Sequence, residues 1–387
     1  MTFRSKLPDV ETTIFTLISR RAAQTGALNI GQGFPDYPID ARLGALVGEA
    51  IAEGRNQYAP MEGVLELRQA IAEKILAHRG VTVDAANEIT VTCGATEALF
   101  SALQTLVTAG DEVIVFEPAY DAYEPAIRLA GGVCVRIPLL PPSFKIDWQR
   151  ARDAVNSRTR AIILNNPHNP ACSVAAEEDI AQLAALTATH NIFVLSDEVY
   201  EHVIFDSRRH VSVLDHPELR TRSFAAFSFG KTLHVTGWRT GYCIAPPDLT
   251  REFRKVHQFN TFSISTPMQV AMARFLRERP DCWQGLSEFF QRKRDLLIAG
   301  LQGTGFITRP SAGTYFQLVD FSALSDEDDV SFADRLIHEA LLAPIPLSPF
   351  YREPQKIQCV RLCIAKQDAT LHTATTRLRE FALRQAA

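Results

Sequence analysis

Ser223-Phe224-Ala225-Ala226-Phe227 runs directly into Ser228-Phe229-Gly230-Lys231, and this stretch decides how the chain is read. Five small or apolar residues without polar alternation describe a strand buried on both faces, as in a parallel sheet covered by helices. The strand ends in a short turn that delivers Lys231, and Gly237-Trp238-Arg239-Thr240-Gly241-Tyr242 follows six residues on. Burial at a strand end disfavours the charged form of a lysine, which frees its amine to act as a nucleophile. The Ser228 hydroxyl and the planar Arg239 cation together suit a phosphate group. A lysine after a strand is ordinarily a surface residue, so the case rests on the rest of the chain.

Moving outward, the same apolar pattern recurs at Ile89-Thr92, Glu112-Phe116, Val133-Ile137, Arg160-Leu164, Ile192-Leu195 and Tyr242-Ala245. Helical spacing of apolar residues separates several of these runs, at Glu97-Val107, Tyr120-Leu129 and Ala175-His190. The alternation predicts an α/β large domain over residues 42–280, with a mostly parallel, seven-stranded sheet between helices. After residue 280 the pattern changes. The amphipathic stretch Trp283-Leu301 precedes strand candidates Gly305-Thr308, Thr314-Val319, Ala343-Leu347 and Val360-Ile364, with helices expected at Ser331-Leu342 and Asp368-Gln385. Residues 281–387 therefore read as a smaller α+β domain. Residues 1–41, with turn formers at Gly31-Gln32-Gly33-Phe34-Pro35-Asp36, read as an arm belonging to it.

The totals exclude several classes. A chain of 387 residues exceeds one ordinary domain, and 46% hydrophobic with 22% charged residues is a globular composition. A net charge of −4 gives no electrostatic case for nucleic acid or an anionic membrane as partner. The seven cysteines form no CxxC pair, and an odd number closes no disulfide framework, so reduced thiols are expected. The first residues lack the apolar core of a signal peptide and no run reaches the length of a membrane span, which points to a cytoplasmic protein.

In a parallel sheet the strand ends share one edge, where α/β proteins bind their ligands. Five polar turns fall there: Cys93-Gly94-Ala95-Thr96-Glu97, Glu117-Pro118-Ala119-Tyr120, Asn165-Asn166-Pro167-His168-Asn169-Pro170, Ser196-Asp197-Glu198-Val199-Tyr200 and Ser228-Phe229-Gly230-Lys231. Backbone N–H groups of Gly94, Ala95 and Thr96 at a helix start can hold a phosphate. Asp197 is either a helix cap or a carboxylate that keeps a pyridine nitrogen protonated. Tyr200 and Asn169 can reach a phenolic ring oxygen. Tyr120 either stacks on such a ring or belongs to the core. An imine-forming amine beside a phosphate site is what pyridoxal 5'-phosphate requires.

In order and spacing, these turns resemble the fold-type I (class I/II) aminotransferases over essentially the whole chain. The resemblance implies an aspartate aminotransferase-like fold with pyridoxal 5'-phosphate held as a Schiff base on Lys231. It implies ring-nitrogen pairing by Asp197 and oxygen contacts from Asn169 and Tyr200. Phosphate contacts are implied for Ala95, Thr96, Ser228 and Arg239, with Tyr120 also at the cofactor. Tyr58, in Asn56-Gln57-Tyr58-Ala59-Pro60, resembles a tyrosine that reaches the phosphate from a partner subunit, which implies a homodimer with shared sites. Arg361, in Val360-Arg361-Leu362-Cys363, resembles the arginine that clamps the substrate α-carboxylate. Gly33 is implied at the substrate as well. One departure is local: the family continues Asn-Pro-x-Asn-Pro with Thr-Gly or Ser-Gly, whereas Ala171-Cys172 follows Pro170 here.

Gly31-Gln32-Gly33-Phe34-Pro35-Asp36, Tyr58-Ala59-Pro60-Met61-Glu62-Gly63 and Ser196-Asp197-Glu198-Val199-Tyr200-Glu201-His202 resemble the branch with kynurenine/glutamine aminotransferases. Lys255-Val256-His257-Gln258 and Gly313-Thr314-Tyr315-Phe316 add a likeness to bacterial methionine aminotransferases. This implies ping-pong transamination of an amino acid with an apolar or thioether side chain, methionine first, to its 2-oxo acid. By resemblance Ile14, Phe15, Phe259, Phe262 and Phe350 line the substrate pocket, where rings suit a thioether. A kynurenine/glutamine-type enzyme and a cysteine-conjugate β-lyase on the same scaffold stay open. Ser228-Phe229-Gly230-Lys231 also fits S-x-x-K of serine acyl-enzymes, but Ser196-Asp197-Glu198 is not S-D-N and Lys231-Thr232-Leu233 is not K-T-G. A cofactor-binding regulator lacks the spare basic segment it needs.

Overall fold

The computed structural model describes residues 4–353 and 356–386. Its strands are β1 (Leu28–Asn29), β2 (Ile89–Thr92), β3 (Glu112–Glu117), β4 (Val133–Pro138), β5 (Thr159–Asn165), β6 (Phe193–Asp197), β7 (Ser223–Ser228), β8 (Gly241–Ile244), β9 (Ile307–Thr308), β10 (Phe316–Asp320), β11 (Leu342–Ala343), β12 (Ile345–Pro346) and β13 (Cys359–Cys363). Seven of them form one sheet in the order β2-β8-β7-β6-β5-β3-β4. Only β8 runs against its neighbours. The expected seven-stranded, mostly parallel sheet is therefore the observed one, with bounds that differ by a residue or two.

The apolar runs explain this sheet. Every residue of β2 and β3 is buried, as are Ser223 to Phe227 of β7. Covered on both faces, such strands gain roughly 25 cal/mol for each Å² of apolar surface removed from water. Across the antiparallel pair β7–β8, Phe227 stands opposite Tyr242 and their rings stack at 5.0 Å. One face is closed by the helix Gly94–Leu106, which packs on β7 and β8. The helix Thr266–Glu278 packs on Ala41–Ala52 and Leu65–Arg79.

A second sheet, in the order β12-β13-β10-β9, is antiparallel throughout. The helices Leu286–Leu301 and Asp368–Ala386 pack against each other beside it. Here the structure corrects the sequence reading: the single strand expected over Ala343-Leu347 is two. Pro344 has no N–H to continue a ladder, and the chain changes partners there. β11 pairs in parallel with β1 (Leu28 opposite Leu342), whereas β12 pairs with β13 (Ile345 opposite Arg361). Gly31 crosses this switch so closely that an added Cβ would lie 2.7 Å from the Ile345 nitrogen.

The N-terminal arm holds a helix that its sequence did not announce, Ile14–Thr25. The Thr13 side chain accepts the Thr16 N–H at its start, and Gly26 closes it at φ +70°. Ile18 and Ala22 bury against Ile337, Ala343, Ile345 and Phe350. No helix among the described residues is long and apolar enough to cross a membrane.

Candidate active site

The parallel register sets Asn165 beside Asp197 at the ends of β5 and β6. Asn165 then ties two turns together: its Nδ2 donates to the Asp197 carbonyl (3.0 Å), and its Oδ1 accepts the Asn169 N–H (2.7 Å). Asp197 is buried, and burial raises its pKa; the Tyr123 hydroxyl, donating to Oδ2 at 2.6 Å, acts in the opposite sense. A buried carboxylate with one strong donor and, among the described residues, no cation bonded to it is poised for a positive partner.

Lys231 sits in the short helix Phe229–Thr232 that follows β7. Its Nζ donates to the Tyr315 hydroxyl at 2.7 Å and lies 5.7 Å from the Tyr200 ring centre. Burial brings its pKa down from the usual lysine value to about 8. The positive charges of Arg239 and Arg361 push the same way, and Cys363 and Asp197 oppose them. The amine is therefore neutral in about one molecule in ten at pH 7, far more than an exposed lysine would be.

Between β7 and β8 the chain carries Arg239 in the left-handed region, at φ 54°. Its guanidinium leans over the start of the helix Gly94–Leu106: a Cβ added at Gly94, itself at φ +72°, would lie 3.0 Å from Arg239 Nη2. Only glycine leaves that space open. Ala95 is buried beneath, Thr96 is exposed, and Tyr120 faces Thr96, Arg239 and Asp197. Arg239 enters no ion pair among the described residues, although it donates to the Thr236 carbonyl at 3.2 Å. Helix-start N–H groups, a hydroxyl at the end of β7 and an uncommitted guanidinium fit a phosphate group. Lys231 and Asp197 in turn fit the aldehyde carbon and ring nitrogen of pyridoxal 5'-phosphate.

Arg361, on β13, is 1% exposed. Its Nη1 donates to Asn169 Oδ1 at 2.5 Å and its Nη2 to the Gly31 carbonyl at 3.1 Å. The guanidinium carbon lies 3.7 Å from the Phe316 ring centre, 5.3 Å from Phe15 and 5.7 Å from Phe350. Its Nε has no hydrogen-bond partner, and no carboxylate pairs with the group among the described residues. A buried cation left in this state is costly, so the cage is built to receive an anion.

The structure thus gathers most of the residues singled out in the sequence. Lys231, Asp197, Tyr200, Asn169, Tyr120, Gly33 and Arg361 are linked by contacts and close charges, with Phe15 and Phe350 on the arginine side. Tyr58 is not among them. It is 84% exposed and rests against Phe262 at 5.3 Å. Phe259 is 89% exposed, whereas Ile14 packs beside Phe15 and Phe350.

Three further residues enter that the sequence reading passed over as site residues: Tyr123 on Asp197, Tyr315 on Lys231 and Phe316 under Arg361. The Ala171-Cys172 departure is resolved as well. Cys172 takes φ 59°, the left-handed conformation that glycine adopts most readily, and its N–H reaches the His168 carbonyl at 2.8 Å. A cleft of about 1130 Å³ opens on the other side of this turn, lined by Phe116, His168, Cys172 and Arg309, and Lys231, Asp197 and Arg361 do not border it. Behind Asp197, Glu201 is held by Lys74 (2.5 Å) and Arg79 (2.9 Å). His78 and His202 stand close enough to share a metal with Glu201, but those two cations already occupy its carboxylate.

Residues 25–378 match the family model for aminotransferase class I and II. The chain is 49% identical over 378 residues to methionine aminotransferase of Escherichia coli (strain K12), covering 98% of each. Against kynurenine–oxoglutarate transaminase 1 of Homo sapiens it is 31% identical, covering 93% of each. Among solved structures, YbdL from Escherichia coli, described with a methionine aminotransferase function, superposes with a TM-score of 0.96 at 49% identity, over 98% of this chain and 100% of that one.

Proposed function

The chain belongs to aminotransferase class I and II, enzymes that use pyridoxal 5'-phosphate, and on that premise we propose that it transfers the amino group of methionine to a 2-oxo acid by a ping-pong route. The observation that carries the substrate reading is the Arg361 cage. A buried guanidinium with a free Nε, walled by Phe15, Phe316 and Phe350, offers a grip for an α-carboxylate beside an apolar, polarisable wall.

Lys231, Asp197, Asn169, Tyr200 and Tyr120 would hold the cofactor's ring, and Ala95, Thr96, Ser228 and Arg239 its phosphate. When bound, the cofactor supplies an aldehyde that takes up an amino group and a protonated ring that withdraws electrons from the adjoining Cα. The chain's own groups do the rest. Asp197 holds the proton on the ring nitrogen, Arg361 and Asn169 fix the substrate carboxylate, and Lys231 Nζ takes the Cα proton and gives it up again. With a lysine pKa lowered to about 8, the amine accepts and releases that proton without a large penalty either way.

Three further readings accompany this one. The arm (1–41) and residues 281–387 form a small domain beside a large one at 42–280, supported by the burial of the arm helix against C-terminal elements. The enzyme is a homodimer in which Tyr58 reaches the neighbouring site, supported by the exposure of Tyr58, Phe259 and Phe262 together. It works in the cytoplasm, supported by seven free thiols. A kynurenine-type donor is the second reading, favoured by the aromatic walls that would also take a ring. Measuring which amino acid aminates the bound cofactor in the absence of any acceptor separates the two.

A further inference from the structure

Tyr315 has no part in the amino-group transfer set out above, yet its hydroxyl is the atom to which Lys231 Nζ donates, at 2.7 Å. A tyrosine hydroxyl has a single proton, and here that proton is committed: it goes to the Gly33 carbonyl, 2.5 Å away, which can only accept. The oxygen therefore turns its lone pairs to Lys231. Full burial keeps the hydroxyl protonated, since it pushes the Tyr315 pKa well above the usual tyrosine value. The ring is boxed in at 4.9 Å by Tyr200, 5.0 Å by Phe316 and 5.8 Å by Phe290. Gly33 fits against it without room for a Cβ, which would meet Phe316 at 2.6 Å and Tyr315 at 3.1 Å. The acceptor is thus fixed in place by packing and by a second hydrogen bond. A second N–H of the lysine points toward the same Gly33 carbonyl at 3.5 Å.

We propose that Tyr315 is the positioning residue of Lys231 during the reaction: whenever the amine is free, the hydroxyl accepts one of its N–H bonds, aims its lone pair at the substrate Cα and steadies the ammonium formed when that proton arrives. The proposal rests on Lys231 being the group that carries the Cα proton. Arg239, Arg361, Asp197 and the Cys363 thiol also face the amine, and the Tyr200 ring lies 5.7 Å away. Cys363 and Asp197 favour the ammonium and the two arginines oppose it, while Tyr315 adds a neutral acceptor on the ammonium side of this balance. It also couples two parts of the molecule. Phe316, the next residue, opens β10 and pairs with β13, the strand of Arg361, while Gly33 belongs to the arm.

The test compares the full-length holoenzyme with its Tyr315→Phe variant, which keeps the ring and removes only the hydroxyl. Both are first aminated with excess methionine so that Lys231 is free. Each is then pulsed with acetic anhydride between pH 6 and 10, and acetylation of Lys231 is read by peptide mass spectrometry. The expected midpoint of the variant lies about one pH unit below that of the parent, because its ammonium has lost an acceptor. The variant's kcat falls about tenfold while KM for the amino donor stays within twofold. An unchanged midpoint, or a KM that rises in step with any loss, overturns the proposal. Persistent turnover in Lys231→Ala would instead overturn the underlying assignment of the lysine, whatever Tyr315→Phe does.

Discussion

The Tyr123 hydroxyl donates to Asp197 Oδ2 at 2.6 Å, both groups are buried, and they lie 74 residues apart in the chain. Burial raises the Asp197 pKa and this bond is the largest opposing influence. Tyr123→Phe removes the donor, so the pKa rises further and the carboxylate takes up a proton at higher pH. The acid limb of kcat/KM is expected to move upward by about one pH unit, which corresponds to roughly 1.4 kcal/mol. Asp197→Asn, with no charge to hold the ring nitrogen protonated, is expected to bind the cofactor and to lose at least about a hundredfold in kcat. Equal activity of Asp197→Asn and parent would remove Asp197 from the mechanism.

A second expectation concerns pH. Lys231 must be neutral to attack the cofactor's aldehyde, and its pKa is lowered to about 8, chiefly by burial. The neutral fraction therefore grows with pH through about 8 and then levels off. Cofactor uptake by the apoprotein, followed by absorbance, is expected to accelerate from pH 6 to 8 and change little above 9. A rate still climbing toward pH 10.5 would mean that the lysine is as basic as an exposed one. Lys231→Ala should fold, show no covalent cofactor band and have no measurable turnover.

Arg361→Leu breaks the grip on the substrate carboxylate and leaves Asn169 Oδ1 and the Gly31 carbonyl without a donor. Loss of a buried charge pair of this kind costs about 3–5 kcal/mol, so kcat/KM for methionine should fall on the order of 10²- to 10⁴-fold. Arg361→Lys should recover little of it, because a lysine presents no planar fork and stacks poorly on Phe316. Cofactor absorbance should survive both changes. Its loss would place Arg361 in the cofactor site rather than in the substrate cage.

The homodimer with shared sites is tested by mixing two inactive or impaired variants. Lys231→Ala and Tyr58→Phe subunits, once exchanged, give a heterodimer in which one site holds both lesions and the other holds neither, if Tyr58 crosses over. Activity should then climb part of the way to the parent level. No rise after demonstrated subunit exchange would assign Tyr58 to its own chain.

Much of this was legible in the sequence, for a local reason. Strands buried on both faces announce themselves by runs such as Ser223-Phe227, and a parallel sheet then puts their polar ends on one edge. Lys231, Asp197 and Asn169 could be found that way. Arg361 could not, because nothing around Val360-Arg361-Leu362 separates it from any arginine on a strand; only the family resemblance marked it. Tyr123 and Tyr315 escaped because their bonds to Asp197 and Lys231 span 74 and 84 residues, and a tyrosine in either segment reads equally well as core. The switch of sheets at Pro344 was hidden in an apolar run that looked like one strand. At Cys172 the sequence left the turn open, and the structure shows a cysteine holding the left-handed conformation at φ 59°, a strained choice for a side chain with a Cβ.

The most direct test of the whole account is a panel of single half-reactions. Holoenzyme is mixed with one amino acid at a time, without any 2-oxo acid acceptor, and amination of the cofactor is followed by absorbance while the released 2-oxo acid is quantified. Methionine is expected to convert the cofactor fastest, with one 2-oxo acid released per site, followed by aromatic and glutamine-like donors, with aspartate far behind. Aspartate ahead of methionine would contradict the apolar cage around Arg361, and ammonia with pyruvate released faster from a cysteine conjugate than methionine is deaminated would make the enzyme a lyase rather than an aminotransferase of methionine.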